Sequence, residues 1–121
     1  MQDFYYRNLL VYQHSIQLVV DVYKLTKKFP PLESYALTNQ IQRAAVSIPS
    51  NIAEGMGRFS KKERLHFLEI SNGSIMEVMC QMEIAYQLKY ITIDEMQAFE
   101  RIIGDIAKMM IGLRKNIEDK L

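Results

Sequence analysis

TIDEMQAFERIIGDIAKMMIGLRKNIED, residues 92–119, is the stretch that decides the fold. Met96, Phe99, Ile103, Ile106, Met110, Leu113 and Ile117 recur at spacings of three and four, which places them on one face of an α-helix. Thr92 and Glu95 form a capping box at its start, each side chain taking a backbone N–H that a first helical turn leaves unpaired. Upstream, Ser60 and Glu63 form a second box, and helical periodicity then runs to about Tyr90, a rod of roughly 45 Å at 1.5 Å per residue. Before that, residues 34–55 carry Leu37, Ile41, Ala44, Ile48 and Ile52 as one stripe, and the first segment carries Leu9, Tyr12, Ile16, Val19 and Tyr23. Breaks fall at Pro30-Pro31, at Gly55 to Gly57, and at Tyr90-Ile91-Thr92. No segment alternates as a strand does. Four amphipathic helices with short connections predict an all-α, antiparallel up-down-up-down four-helix bundle, one domain over residues 1–121.

The middle helices depart from this simple pattern. Residues 43–55 are rich in small side chains, with Pro49 inside the helix, where its missing N–H leaves the Ala45 carbonyl without its usual partner and predicts a kink. The third helix has two stripes, Leu68, Ser71, Ile75, Val78, Met82 and Ala85, and Phe67, Ile70, Ser74, Glu77, Gln81, Ile84 and Leu88. A second face of this kind is one that another copy of the chain can cover, so it points to a homo-oligomer. Arg43, Ser47, Asn51, Glu54, Gly73, Ser74, Glu77 and Gln81 lie on or beside the packed faces. Polar groups there need partners, so they are read as a network fixing the register of helices two and three, the alternative being a ligand or partner pocket.

Composition excludes several classes. Lys and Arg number 15 against 14 acids, so net charge gives no argument for nucleic acid or membrane. One cysteine and two histidines cannot make a disulfide or a zinc site. The opening Met1-Gln2-Asp3-Phe4 has no basic leader, and no uncharged apolar run approaches the ~18 residues of a membrane span, so a reducing cytoplasm is expected. Glu63 and His66 have the i, i+3 spacing of di-metal bundles, but Val11 stands where His14 would need its glutamate. Cys80 has no histidine within helical reach and reads as a small core hydrophobe. No Ser-His-Asp set or phosphate-binding glycine loop can be assembled. The chain is read as non-enzymatic, with no catalytic residue, metal or cofactor.

Charge that balances overall need not be evenly spread. An up-down-up-down bundle gathers the start of helix one, the turn between helices two and three, and the end of helix four at one pole. Arg7, Arg58, Lys61, Lys62, Arg64, Arg114, Lys115 and Lys120 collect there against Asp3, Glu54, Glu63, Glu118 and Asp119. The excess of about three positive charges could be a solvated end or a grip on phosphates. Aromatics are few there, Tyr5, Tyr6 and Phe59, too few to support sequence-specific stacking.

The run Ser47-Ile48-Pro49-Ser50-Asn51-Ile52-Ala53-Glu54-Gly55, with Arg58, Ser60 and Glu63, then Phe67-Leu68, Gly73-Ser74, Glu77 and Gln81, resembles the bacterial four helix bundle protein family. That family includes proteins encoded by intervening sequences in 23S ribosomal RNA genes, also called S23 ribosomal proteins. It also includes the accessory variability determinant of diversity-generating retroelements. The resemblance covers nearly the whole chain and implies a homopentameric barrel. For the retroelement members it further implies binding to a reverse transcriptase and to nucleic acid through a strongly basic surface. The net charge of +1 places this chain nearer the intervening-sequence members. The expected function is a ring engaging RNA or a ribonucleoprotein through Arg7, Arg58, Lys61, Lys62, Arg64, Arg114 and Lys115. The alternative is a protein-binding scaffold, or an accessory subunit for a reverse transcriptase without direct nucleic-acid contact.

Overall fold

At the start of the last helix the capping box closes in both directions. The Glu95 N–H donates to Thr92 Oγ1 at 3.1 Å, and the Thr92 N–H donates to Glu95 Oε1 at 2.8 Å. At Ser60 only half the box forms, the Glu63 N–H donating to Ser60 Oγ at 3.1 Å. These caps open two of the four helices in the computed structural model, which describes residues 4–120. The helices are α1 (Leu10–Thr26), α2 (Leu37–Met56), α3 (Lys61–Gln87) and α4 (Ile93–Asp119), with short 3-10 turns at Tyr5–Asn8 and Pro31–Glu33. Among the described residues there is no strand. Each helix packs on the two that flank it in the order α1, α2, α3, α4 and back to α1, and the diagonal backbones do not approach closely, so the bundle is a square of antiparallel neighbours.

The core is one cluster drawn from all four helices, with Leu18, Ile41, Ile48, Ile52, Leu68, Ile75, Met82 and Ile106 fully buried. The stripes expected for α2 and for the first face of α3 are buried throughout. That of α4 is buried except for half-buried Leu113. The first helix requires a correction. Its core face is Val11, Ser15, Leu18, Val22 and Leu25. Ile16 and Tyr23 from the expected stripe are exposed, Tyr12 and Val19 half-buried. Ser15 can occupy the core because its hydroxyl donates to the Tyr12 carbonyl at 2.8 Å. Cys80 also departs from expectation and is exposed.

Helix α2 packs most extensively on α3, and small residues make that possible. Gly55 lies so close to α3 that a Cβ there would stand 2.9 Å from the Phe67 Cβ. Pro49 is buried, and α2 continues through it to Met56. One residue before it, the Ile48 carbonyl accepts a buried hydrogen bond from Ser71 Oγ of α3 at 2.9 Å.

At the end opposite the basic pole, Lys89 closes α3 in the left-handed region at φ 65. The Lys89 N–H donates to the Tyr86 carbonyl and the Tyr90 N–H to the Ala85 carbonyl, both at 2.9 Å, the double bond of a Schellman motif. Tyr90 then leans on Phe29 and donates its hydroxyl to Glu33 Oε2 at 2.6 Å. That bond to a carboxylate, reinforced by burial and the nearby negative charge, holds the phenol above its ordinary pKa. No helix among the described residues is long and apolar enough to cross a membrane.

Candidate nucleic-acid interface at the basic pole

The pole is assembled by the 3-10 turn at Tyr5–Asn8, the tight connection after Met56, and the last turns of α4. Lys61 binds the connection to α4, its Nζ donating to the Glu118 carbonyl at 2.9 Å. Arg64 is braced from below, its Nε donating to the Arg58 carbonyl at 2.7 Å. Between them opens a recess of about 400 Å³, bordered by Tyr5, Phe59, Lys61, Arg64, Asn116 and Lys120 among others.

The seven cations expected here fall into distinct groups. Lys61 and Arg64 border the recess together with Lys120. Lys62 and Lys115 are exposed and make no ion pair among the described residues. Arg58 is engaged elsewhere, bonded to Glu54 Oε1 at 3.0 Å and laid over the Phe67 ring at 4.6 Å. Arg114 is likewise held, by Glu69 and Glu118, each at 3.1 Å. Arg7 is half-buried, and its carbonyl accepts from Gln13 Nε2 at 2.8 Å. Asp3, counted among the pole's acids, lies outside the described residues. Lys120 and Asn116 were not among the candidate contact residues. Lys120 was legible as a member of the charged pole, whereas Asn116 carried no signal in sequence.

The polar set of α2 and α3 divides as well. Ser47, Asn51 and Ser74 form a seam, with Asn51 Nδ2 donating to the Ser47 carbonyl at 2.8 Å and to Ser47 Oγ at 2.9 Å, and Ser74 Oγ donating to Ser47 Oγ at 2.8 Å. Glu54 is exposed and belongs instead to the surface pair with Arg58. Gly73 is exposed with open space where a Cβ would stand, so it takes no part in close packing. Arg43 and Glu77 are exposed and line a shallow cleft of about 340 Å³ with Ser47 and Ser74. Gln81 is 5% exposed, with its Nε2 at 3.4 Å from Glu77 Oε2 and its Oε1 buried without a partner. Ser71, read only as part of an apolar stripe, makes the buried bond between the two helices. Its place in that stripe was the signal available.

Among the described residues no group of three or more His, Cys, Asp and Glu is placed to hold a metal ion. His66 of the Glu63–His66 pair is exposed and meets the Phe67 ring edge-on at 5.5 Å.

A square antiparallel four-helix bundle is the class of fold that this chain adopts. The chain belongs to the 23S rRNA-intervening sequence protein family, whose model matches residues 7–112. Among solved structures it is similar to a protein of unknown function from the S23 ribosomal protein family of Bacteroides thetaiotaomicron VPI-5482. The TM-score is 0.81 at 23% identity, covering 88% of this chain and 96% of that one, a likeness of fold. No curated protein matches the chain.

Proposed function

We propose that the chain forms a homo-oligomeric ring, a pentamer, that binds RNA or a ribonucleoprotein through its basic pole and performs no catalysis of its own. The observation that carries the RNA reading is the recess bordered by Lys61, Arg64 and Lys120, with Lys62 and Lys115 uncompensated nearby. Cations held in intramolecular pairs have little left to offer a phosphate, whereas these can exchange water and counterions for one. Repetition around a ring would multiply a weak site into a useful one. Support for assembly comes from α1 and α2. Tyr12, Ile16 and Val19 line an apolar groove of about 260 Å³ with Val46, Pro49 and Ala53. Ile16 is 41% exposed, with Val20 and Tyr23 beside it on the same helix.

The test is a titration against a structured ribosomal RNA fragment at low and near-physiological salt, with the triple charge reversal Lys61→Glu, Lys62→Glu and Arg64→Glu alongside. The expected result is affinity that falls steeply with salt and is abolished by the reversal. Absence of binding at low salt overturns the RNA reading. Salt-tolerant capture of a protein such as a reverse transcriptase would then favour the scaffold alternative.

A further inference from the structure

We infer that the recess at the pole takes a single unpaired nucleotide, so that the RNA recognised is single-stranded where it touches this protein. The inference rests on the proposal that the pole binds RNA and concerns which form of RNA it accepts. Phe59 is 100% exposed in the turn between α2 and α3, and Tyr5 is 64% exposed across the same recess. A lone exposed phenylalanine is ordinary on a protein surface. Here, however, the ring stands at the mouth of a cavity that also presents two lysines, an arginine and the Asn116 amide. An apolar π-face, cations and one neutral hydrogen-bonding group are the three kinds of partner that a nucleotide's base face, phosphate and base edge require.

The volume agrees. About 400 Å³ lies within the ~300–1,000 Å³ of small-ligand sites, and no bundle helix has to move to admit a base. Two of the three cations are preset by backbone carbonyls, Lys61 by Glu118 and Arg64 by Arg58. Arg64 thereby keeps both terminal amino groups without a protein partner among the described residues and available to a phosphate. A duplex cannot use this arrangement. Its base faces are stacked inward, so it would meet only the cations and would leave Phe59 in water. On charge density alone the duplex should bind more tightly, so a preference for the single strand must come from the base.

The experiment uses the full chain and two RNAs of equal length, a single strand carrying 2-aminopurine and its blunt duplex, titrated at two salt concentrations. The expected result is tighter binding of the single strand, with a change in 2-aminopurine fluorescence on contact. Phe59→Ala should weaken single-strand binding by at least about fivefold and leave the duplex unchanged, and Phe59→Leu, apolar but without a π-face, should behave as the alanine variant does. Equal binding of both RNAs with no effect of Phe59→Ala overturns the inference and leaves RNA binding standing. Salt-dependent binding to neither RNA overturns both. A fall in the assembly's mass on Phe59→Ala would assign the ring to a subunit contact and also overturn the inference.

Discussion

At the scale of single residues, Lys89 pays a conformational cost that the chain could avoid. A side chain with a Cβ sits at φ 65 where a Schellman motif favours glycine. Lys89→Gly is expected to stabilise the fold by about 0.5–1 kcal/mol, read as a rise in the thermal midpoint. The sequence announced this turn only from its far side, through Thr92 and Glu95, because lysine carries no turn signal. Ser71 was legible as a core position and illegible as a donor, since its partner is a backbone carbonyl 23 residues away. Ser71→Ala should cost about 1 kcal/mol in denaturant unfolding, the ordinary worth of a buried hydrogen bond. Glu95 predicts a pH effect. Burial pushes its carboxyl up, but hydrogen bonds from Lys28 and Thr92 outweigh burial and hold it below its ordinary 4.5. The stability it contributes is present above that value and lost as pH falls through its folded pKa. Thermal midpoints measured between about pH 3 and 6 should therefore fall less steeply for Glu95→Gln than for the parent chain.

At the scale of elements, α4 and α2 were readable because each has one apolar stripe and one place to bury it. Helix α1 was not, because two stripes compete there. Leu9, Tyr12, Ile16, Val19 and Tyr23 make a stripe with no small polar residue, while the true core face is interrupted by Ser15. Only the local bond from Ser15 to the Tyr12 carbonyl, invisible to periodicity, makes that serine tolerable inside. The α2–α3 contact was foreshadowed by its small residues, and Gly55 shows why they are needed. Alanine inside a helix normally improves on glycine by roughly 0.5–1 kcal/mol, yet Gly55→Ala must displace the Phe67 Cβ at 2.9 Å. A net loss of about 1–3 kcal/mol is expected in equilibrium unfolding. The same change at Gly73, where nothing lies within 4 Å, should be stabilising and serves as the control.

At the scale of the whole molecule, a net charge of +1 conceals segregation. The sequence located the cations at one end through topology alone. The pairs Glu54–Arg58 and Arg114–Glu118 have the i, i+4 spacing that a sequence can show, whereas the Arg114–Glu69 pair and the recess bordered by Lys61 and Arg64 depend on geometry across helices. Assembly belongs to this scale too. Replacing Ile16 and Val20 by glutamate places charge on the exposed apolar side of α1 and spares the core. The outcome expected from the proposed assembly, by light scattering, is a fall from a multiple of the chain's mass to that of one chain, with helix content retained in circular dichroism. A mass unchanged from the parent would place the subunit contact elsewhere.

The recess draws Tyr5 from one end of the described chain and Lys120 from the other. An affinity tag or fluorophore joined ahead of Tyr5 or beyond Lys120 would therefore hang over the cavity whose occupancy is being measured. The turn at residues 32–35, with Leu32 and Tyr35 exposed, stands at the opposite end of the bundle, about 40 Å away along helices of 27 residues. Surface immobilisation and labelling through that turn would leave the pole open to solution.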